Sequence, residues 1–195
     1  MNYLAHVYLA GDADSDRLGG LLGDFVKGPL PCGLPPDLAA GVALHRRIDS
    51  YADVHPAFQR SRARVSPARR RYAGVMVDMF YDHLLAAHWH AYSSEPLGQY
   101  SLAVYDLLDA HAPVLPARLA EVRVWMRKGD WLSGYRTLHG TGEAIDRIAR
   151  HRLSRPGTLP GAIEELAADY SGFKDDFVEF MRDAIAMTAQ VRAGR

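Results

Sequence analysis

The chain has 195 residues, 48% of them hydrophobic and 24% charged, with 23 Lys+Arg against 23 Asp+Glu and no net charge. This is the size and make-up of one globular domain, residues 1–195, with enough apolar material to close a core, which excludes wholesale disorder and argues against generic nucleic-acid binding. No apolar run approaches the roughly 18 residues of a membrane span, and the opening MNYLAHVYLAGDADSD lacks the basic start and long apolar stretch of a secretory leader, so a cytoplasmic protein is expected.

Apolar residues recur with a helical period almost throughout, and strict alternation is nearly absent, so an all-α fold follows. A short first helix ends at Gly11, and a second is expected over 16–26. The Gly/Pro-rich run 28–36, GPLPCGLPP, is a loop that ends with Pro36 placed to open a third helix reaching about residue 53. Cys32, the single cysteine, lies in that loop and has no companion for a disulfide or a cysteine metal site, consistent with a reducing compartment. After an arginine-rich segment, a long helix is expected over 70–92, closed by Ser93, Ser94 and Pro96. Shorter helices fit 97–112, 117–126, 130–138, 143–153, 159–170 and 173–192. Gly19, Gly20 and Gly23 lie in helical context with no strand before them, which argues against a dinucleotide site.

Histidines and aspartates crowd the first half of the chain. On the third helix His45, Asp49 and Asp53 fan over about 80° of one face, shared with Leu38, Val42 and Ala52. On the long helix His83 projects from an apolar stripe of Tyr72, Met76, Met79 and Phe80, with Asp78 and Asp82 about 40° apart at its edge. Inward polar groups need partners, and two close carboxylates repel unless a cation or a basic group relieves them. Arg46 and Arg47 are candidates for that relief, and so is a divalent metal, which His/carboxylate mixtures suit. The plainer reading of each His–Asp pair alone is a self-satisfied core contact, and His6, isolated on an apolar helix, reads as a packing histidine.

The basic residues are skewed: twenty of the 23 are arginine, and Arg60, Arg62, Arg64, Arg69, Arg70 and Arg71 fall within twelve residues that contain no acid. Such a run is either a solvated face or an anion-facing patch.

The ordered motifs MNYLAHVYLA (1–10), GGLLGDFVKG (19–28), LHRRIDSYADVHP (44–56) and RRYAGVMVDMFYDHLLAAHW (70–89) resemble the acyl carrier protein phosphodiesterase family, a divergent branch of the HD-type metal phosphohydrolases. The resemblance continues more faintly through DWLSGYRTL (130–138) and the aromatic last helix. It implies an HD-like helical domain that hydrolyses the phosphodiester joining 4′-phosphopantetheine to a serine of holo acyl carrier protein. The implied cofactor is a divalent metal, Mn²⁺ first and Mg²⁺ or Fe²⁺ next. Residue by residue, the positions matching the family's polar motifs are His6, Asp24, His45, Asp49, Asp78, Asp82 and His83. Of these, Asp24, His45, Asp78 and Asp82 are the expected catalytic groups, with Arg46 to balance phosphate charge. Tyr8 stands where many relatives carry a second histidine, and the adjacent dyad of HD enzymes appears in reversed order as Asp82-His83. Because carrier proteins are acidic, Arg47 and the arginines of 60–71 become the expected docking surface. Two other readings stay open at this stage: an HD-type hydrolase of a nucleotide or other small phosphoester, and a non-catalytic helical module that binds an acidic protein.

Overall fold

The computed structural model describes residues 2–152 and 157–195 and is helical, with no strand among the described residues. The chain forms α1 (Tyr3–Ala10), α2 (Asp14–Leu22), α3 (Pro36–Val54), α4 (Pro56–Arg64), α5 (Ala73–Ala87), α6 (Leu97–Ala110), α7 (Ala117–Lys128), α8 (Trp131–Gly134), α9 (Leu138–Arg152), α10 (Ile163–Ala168) and α11 (Tyr170–Ala193). The end of the expected helix 143–153, Leu153, lies outside the described residues; α9 itself begins earlier than expected, at Leu138. None of the described helices is long and apolar enough to cross a membrane.

The long helix expected over 70–92 is three pieces: a 3₁₀ turn Pro67–Tyr72, α5, and a second 3₁₀ turn Trp89–Ala91. Pro67 opens the first piece, where its missing N–H costs nothing. A helix the periodicity did not reveal, α4, begins directly after α3. His55 ends α3 in an extended conformation, and its Nδ1 accepts from the N–H of Ala57, so Pro56 starts a new helix in a new direction.

The tightest packing is between α2 and α3. A side chain at Gly19 would place its Cβ 2.5 Å from Gly41 Cα, so the two backbones touch where the glycines face each other. This is the structural use of the glycines that suggested no phosphate loop.

The two helices that carry the His/Asp pairs, α3 and α5, are joined through an intermediary. Helix α1 packs against α2, α3, α5 and α11, while α3 and α5 make no comparable contact with each other. The amino-terminal helix is therefore the centre of the assembly, and six of its eight residues besides His6 are fully buried. On the far side α4 is fixed to α11 by the buried carboxylate of Asp176, which accepts from Arg60 Nε at 2.8 Å, Arg64 Nε at 2.8 Å and Ser61 Oγ at 3.2 Å. Tyr81, Phe173, Phe177 and Phe180 fill the core behind that network.

Candidate metal centre

Three side chains meet where α1 and α3 cross. The Nε2 of His6 lies 3.0 Å from Asp49 Oδ1, and the Nε2 of His45 lies 3.2 Å from Asp49 Oδ2. The imidazole rings stack with centroids 3.7 Å apart and planes 16° from parallel. Both histidines are buried, at 1% and 3% exposure, whereas the Asp49 side chain is 43% exposed, so the cluster is a recess with one open side.

The orientation of His45 follows from the glycines of α2. Its Nδ1 is 2.8 Å from the carbonyl oxygen of Gly20, which only accepts, so Nδ1 carries the proton and donates it. The Nε2 edge of the ring then faces Asp49 and, at 3.9 Å, Asp24 Oδ1. The ring fits only because residue 23 lacks a side chain: a Cβ there would sit 2.1 Å from His45 Cγ. Fixing one imidazole nitrogen on a backbone carbonyl so that the other faces outward is how metal-ligating histidines are held.

His6 points the same way. Its Nε2 is near Asp49 but out of line for a hydrogen bond, so both buried ring nitrogens lack a well-directed partner. Burial lowers its pKa to about 3, against the pull of Asp49, so the ring is neutral and keeps a lone pair. Burial alone would raise the Asp49 carboxyl, yet the nearness of the His45 and His6 imidazoles outweighs it and holds the group below its ordinary value. The two stacked imidazoles and the Asp49 carboxylate each offer a ligand atom within 4.8 Å of the others, a group able to hold a metal ion.

Asp24 and Asp78 border the cluster. Asp24 reaches toward His45, and Asp78 has a carboxyl raised chiefly by burial and further by the charges of Asp49 and Asp24. Arg46 is a clamp on the backbone: its guanidinium donates to the carbonyls of Gly28 at 2.8 Å and Val26 at 3.0 Å. That corrects the expectation of a free phosphate-balancing cation, since the group is committed to the loop following Asp24. Arg47 is exposed.

Asp82 and His83 are corrected more sharply. Both oxygens of the fully buried Asp82 accept backbone N–H groups, from Leu4 at 2.9 Å and Ala5 at 3.0 Å. These are orphan donors of the first turn of α1, which Asn2 does not cap with its own side chain. Burial pushes the Asp82 carboxyl up to about 7, against those two backbone bonds. His83 donates from Nδ1 to the carbonyl of Tyr135 at 2.8 Å, and its Nε2 lies 3.2 Å from the hydroxyl of Tyr170. With both nitrogens engaged, His83 ties α5 to the chain after α8 and to α11, and the reversed dyad forms no HD-type centre.

The arginine run has acids after all, supplied mostly from the other end of the chain. Arg60 pairs with Asp176 and Glu179, Arg64 with Asp176 and Asp169, Arg69 with Glu165, and Arg62 more loosely with Asp53 at 3.5 Å. Arg70 donates to the carbonyl of Ala63, and Arg71 lies over the Tyr72 ring. The run is therefore largely neutralised and does not form one open cationic surface. Gly20 and Gly23, which hold and admit the His45 ring, escaped the sequence argument; their signal was a glycine cluster in a helix with no phosphate-loop context.

The fold and this centre define an all-helical protein with a half-open His/Asp group of metal-binding type. The chain belongs to the acyl carrier protein phosphodiesterase family, whose model matches residues 1–184. Curated relatives named acyl carrier protein phosphodiesterase include one from Yersinia pestis, 32% identical over 92% of this chain and 93% of its own. A second, from Serratia proteamaculans, is 33% identical over the same shares, and a third, from Escherichia coli O157:H7, is 30% identical over 97% and 98%. No solved structure matches.

Proposed function

We propose that this protein is a phosphodiester hydrolase that releases 4′-phosphopantetheine from the serine of holo acyl carrier protein, leaving the apo carrier. The relatives' shared name supplies the substrate, and family membership over nearly the whole chain supports carrying it across. The observation that carries the site assignment is the meeting of His6 Nε2, His45 Nε2 and Asp49, with the His6 nitrogens buried and without well-directed partners.

These three residues would hold a divalent cation, Mn²⁺ in the first instance with Mg²⁺ or Fe²⁺ as alternatives. When bound, such an ion supplies a Lewis acid for the phosphoryl oxygens and an acidified water as nucleophile near neutral pH. The protein's own contribution is placement. Gly20 holds the His45 tautomer, Asp82 anchors the turn of α1 that precedes His6, and Arg46 fixes the loop behind Asp24. Asp24, 3.9 Å from His45, and Asp78, near enough to feel the charges of Asp49 and Asp24, are the carboxylates that would complete coordination or move the protons of water and of the departing serine oxygen. Arg47, Arg70 and Arg71, which have no acid partner among the described residues, are the members of the expected docking set still available to an acidic carrier. The exposed lone Cys32 suits a reducing, cytoplasmic setting.

The test is direct: incubate the purified protein with Mn²⁺ and holo carrier protein and follow the carrier by mass spectrometry. Loss of the phosphopantetheine mass, absent with a chelator or with Asp49→Ala, is expected. An unchanged carrier mass under all metals tried contradicts the proposal.

A further inference from the structure

A cavity of about 720 Å³ opens among α7, α8, α9 and the start of α1, and its lining includes none of His6, His45 and Asp49. Its walls are apolar and aromatic, from Met79, Val122, Trp125, Trp131 and Ile148, and no Asp or Glu lines it. Three cations do: Arg118, Lys128 and Arg147.

The behaviour of neighbouring basic residues makes those three informative. On the same helix α7, Arg123 pairs with Asp109 and Arg127 with Asp106 and Asp109. The arginines of the 60–71 run likewise reach acids on α10 and α11 or nearby. Arg118, Lys128 and Arg147 form no ion pair among the described residues; Lys128 and Arg147 lie instead over the rings of Trp125 and Trp131, at 5.5 and 4.2 Å from the centroids. Trp125 is 60% exposed, so a large apolar surface stands open at the cavity wall. A mostly apolar concavity lined by a few polar groups is the form of a small-molecule site, and here every charged residue in the lining is basic.

We propose that this cavity binds a single-chain anionic amphiphile of the fatty-acid class, its alkyl chain between Trp125, Trp131, Val122 and Ile148 and its head group on Arg118, Lys128 and Arg147. The apolar walls take the chain by displacing water, and the unpaired cations supply charge-assisted hydrogen bonds to a carboxylate. The site requires neither the metal nor a carrier protein, so it stands apart from the hydrolytic reading.

Titration of the full chain with dodecanoate below its critical micelle concentration, followed by calorimetry and by tryptophan emission, tests it. Saturable one-to-one binding is expected, with affinity at least about tenfold weaker for dodecanol, which lacks the charge. The double variant Arg118→Ala, Lys128→Ala changes exposed side chains on α7 and should lose about tenfold in affinity while its melting temperature holds. Val122→Trp, which fills the cavity from a partly exposed position, should abolish binding. Non-saturable uptake, equal affinity for dodecanoate and dodecyltrimethylammonium, or unchanged affinity in both variants overturns the proposal.

Discussion

Helices α3 and α5 each carry a histidine and an aspartate on a buried face, and the two pairs have opposite fates. On α5 every polar atom of Asp82 and His83 finds a fixed partner: two N–H groups of α1 for the acid, a carbonyl and a hydroxyl for the imidazole. On α3 only His45 Nδ1 is consumed, by Gly20, and the Nε2 is left facing carboxylates beside a second histidine that has no well-directed partner. The same residue types thus serve as internal fasteners in one place and form a group able to hold an ion in the other. Completeness of hydrogen bonding tells them apart, since a satisfied buried group has nothing left to offer an ion.

The comparison breaks first on activity. Asp49→Ala and His6→Ala should each lower hydrolysis of holo carrier protein by more than about a hundredfold, because removal of a ligand exceeds the 10–100-fold typical of losing only its support. His83→Gln should leave kcat within a few-fold wherever the protein is folded. Matched steady-state assays check both.

Gly23→Ala sharpens the same contrast without touching a ligand. Its Cβ would lie 2.1 Å from His45 Cγ, so the ring must turn off Gly20. Metal content and activity should fall together by about tenfold or more while the helical circular dichroism is kept. Retention of full metal affinity would show that the Gly20 bond does not set the centre.

Stability separates the pairs next. Asp82→Ala strands two buried N–H groups at the start of α1 and should cost about 2–4 kcal/mol in urea unfolding. Asp82→Asn, which can still accept, should cost less.

The pH dependence of metal-free protein has opposite signs for the two regions. His6 has a folded pKa of about 3 against its ordinary 6.5, so the unfolded chain takes up the proton first and stability falls as pH drops below 6.5. Asp82 has a folded pKa of about 7 against its ordinary 3.8, so the folded chain keeps the proton and stability rises as pH drops from 7 toward 3.8. Each slope approaches about 1.4 kcal/mol per pH unit at most. In the native chain they oppose one another over much of that window. Asp82→Asn should therefore steepen the loss of stability on acidification, and His6→Gln should turn it into a gain, as read from urea midpoints between about pH 4 and 6.5.

The smallest effect expected is that of Arg70→Glu with Arg71→Glu, both exposed. Melting temperature should barely change, and KM for holo carrier protein should rise modestly at low salt and recover at high salt. A KM indifferent to these charges at low salt would move docking away from this face.

The sequence made much of this legible and hid the rest for physical reasons. The α-helical class followed from periodicity, and His45 with Asp49 followed from their spacing of one turn. His6 read as a packing residue because nothing local shows that α1 lies between α3 and α5. Asp82 and His83 looked like a site because their partners, the N–H groups of Leu4 and Ala5 and the carbonyl of Tyr135, are backbone atoms that carry no residue-type signal. The arginine run appeared acid-free because its counter-charges, Asp169, Asp176 and Glu179, stand about a hundred positions downstream on or beside α11.

The central claim is that His6, His45 and Asp49 hold the metal and that Asp82 and His83 do not. Calorimetric titration of Mn²⁺ into metal-free protein tests it most directly, comparing the native chain with His6→Ala, Asp49→Ala and His83→Gln and confirming each stoichiometry by elemental analysis. One ion per chain is expected for the native protein and for His83→Gln, with binding lost in His6→Ala and Asp49→Ala. Undiminished binding in the latter two, or its loss in a folded His83→Gln, would contradict the account.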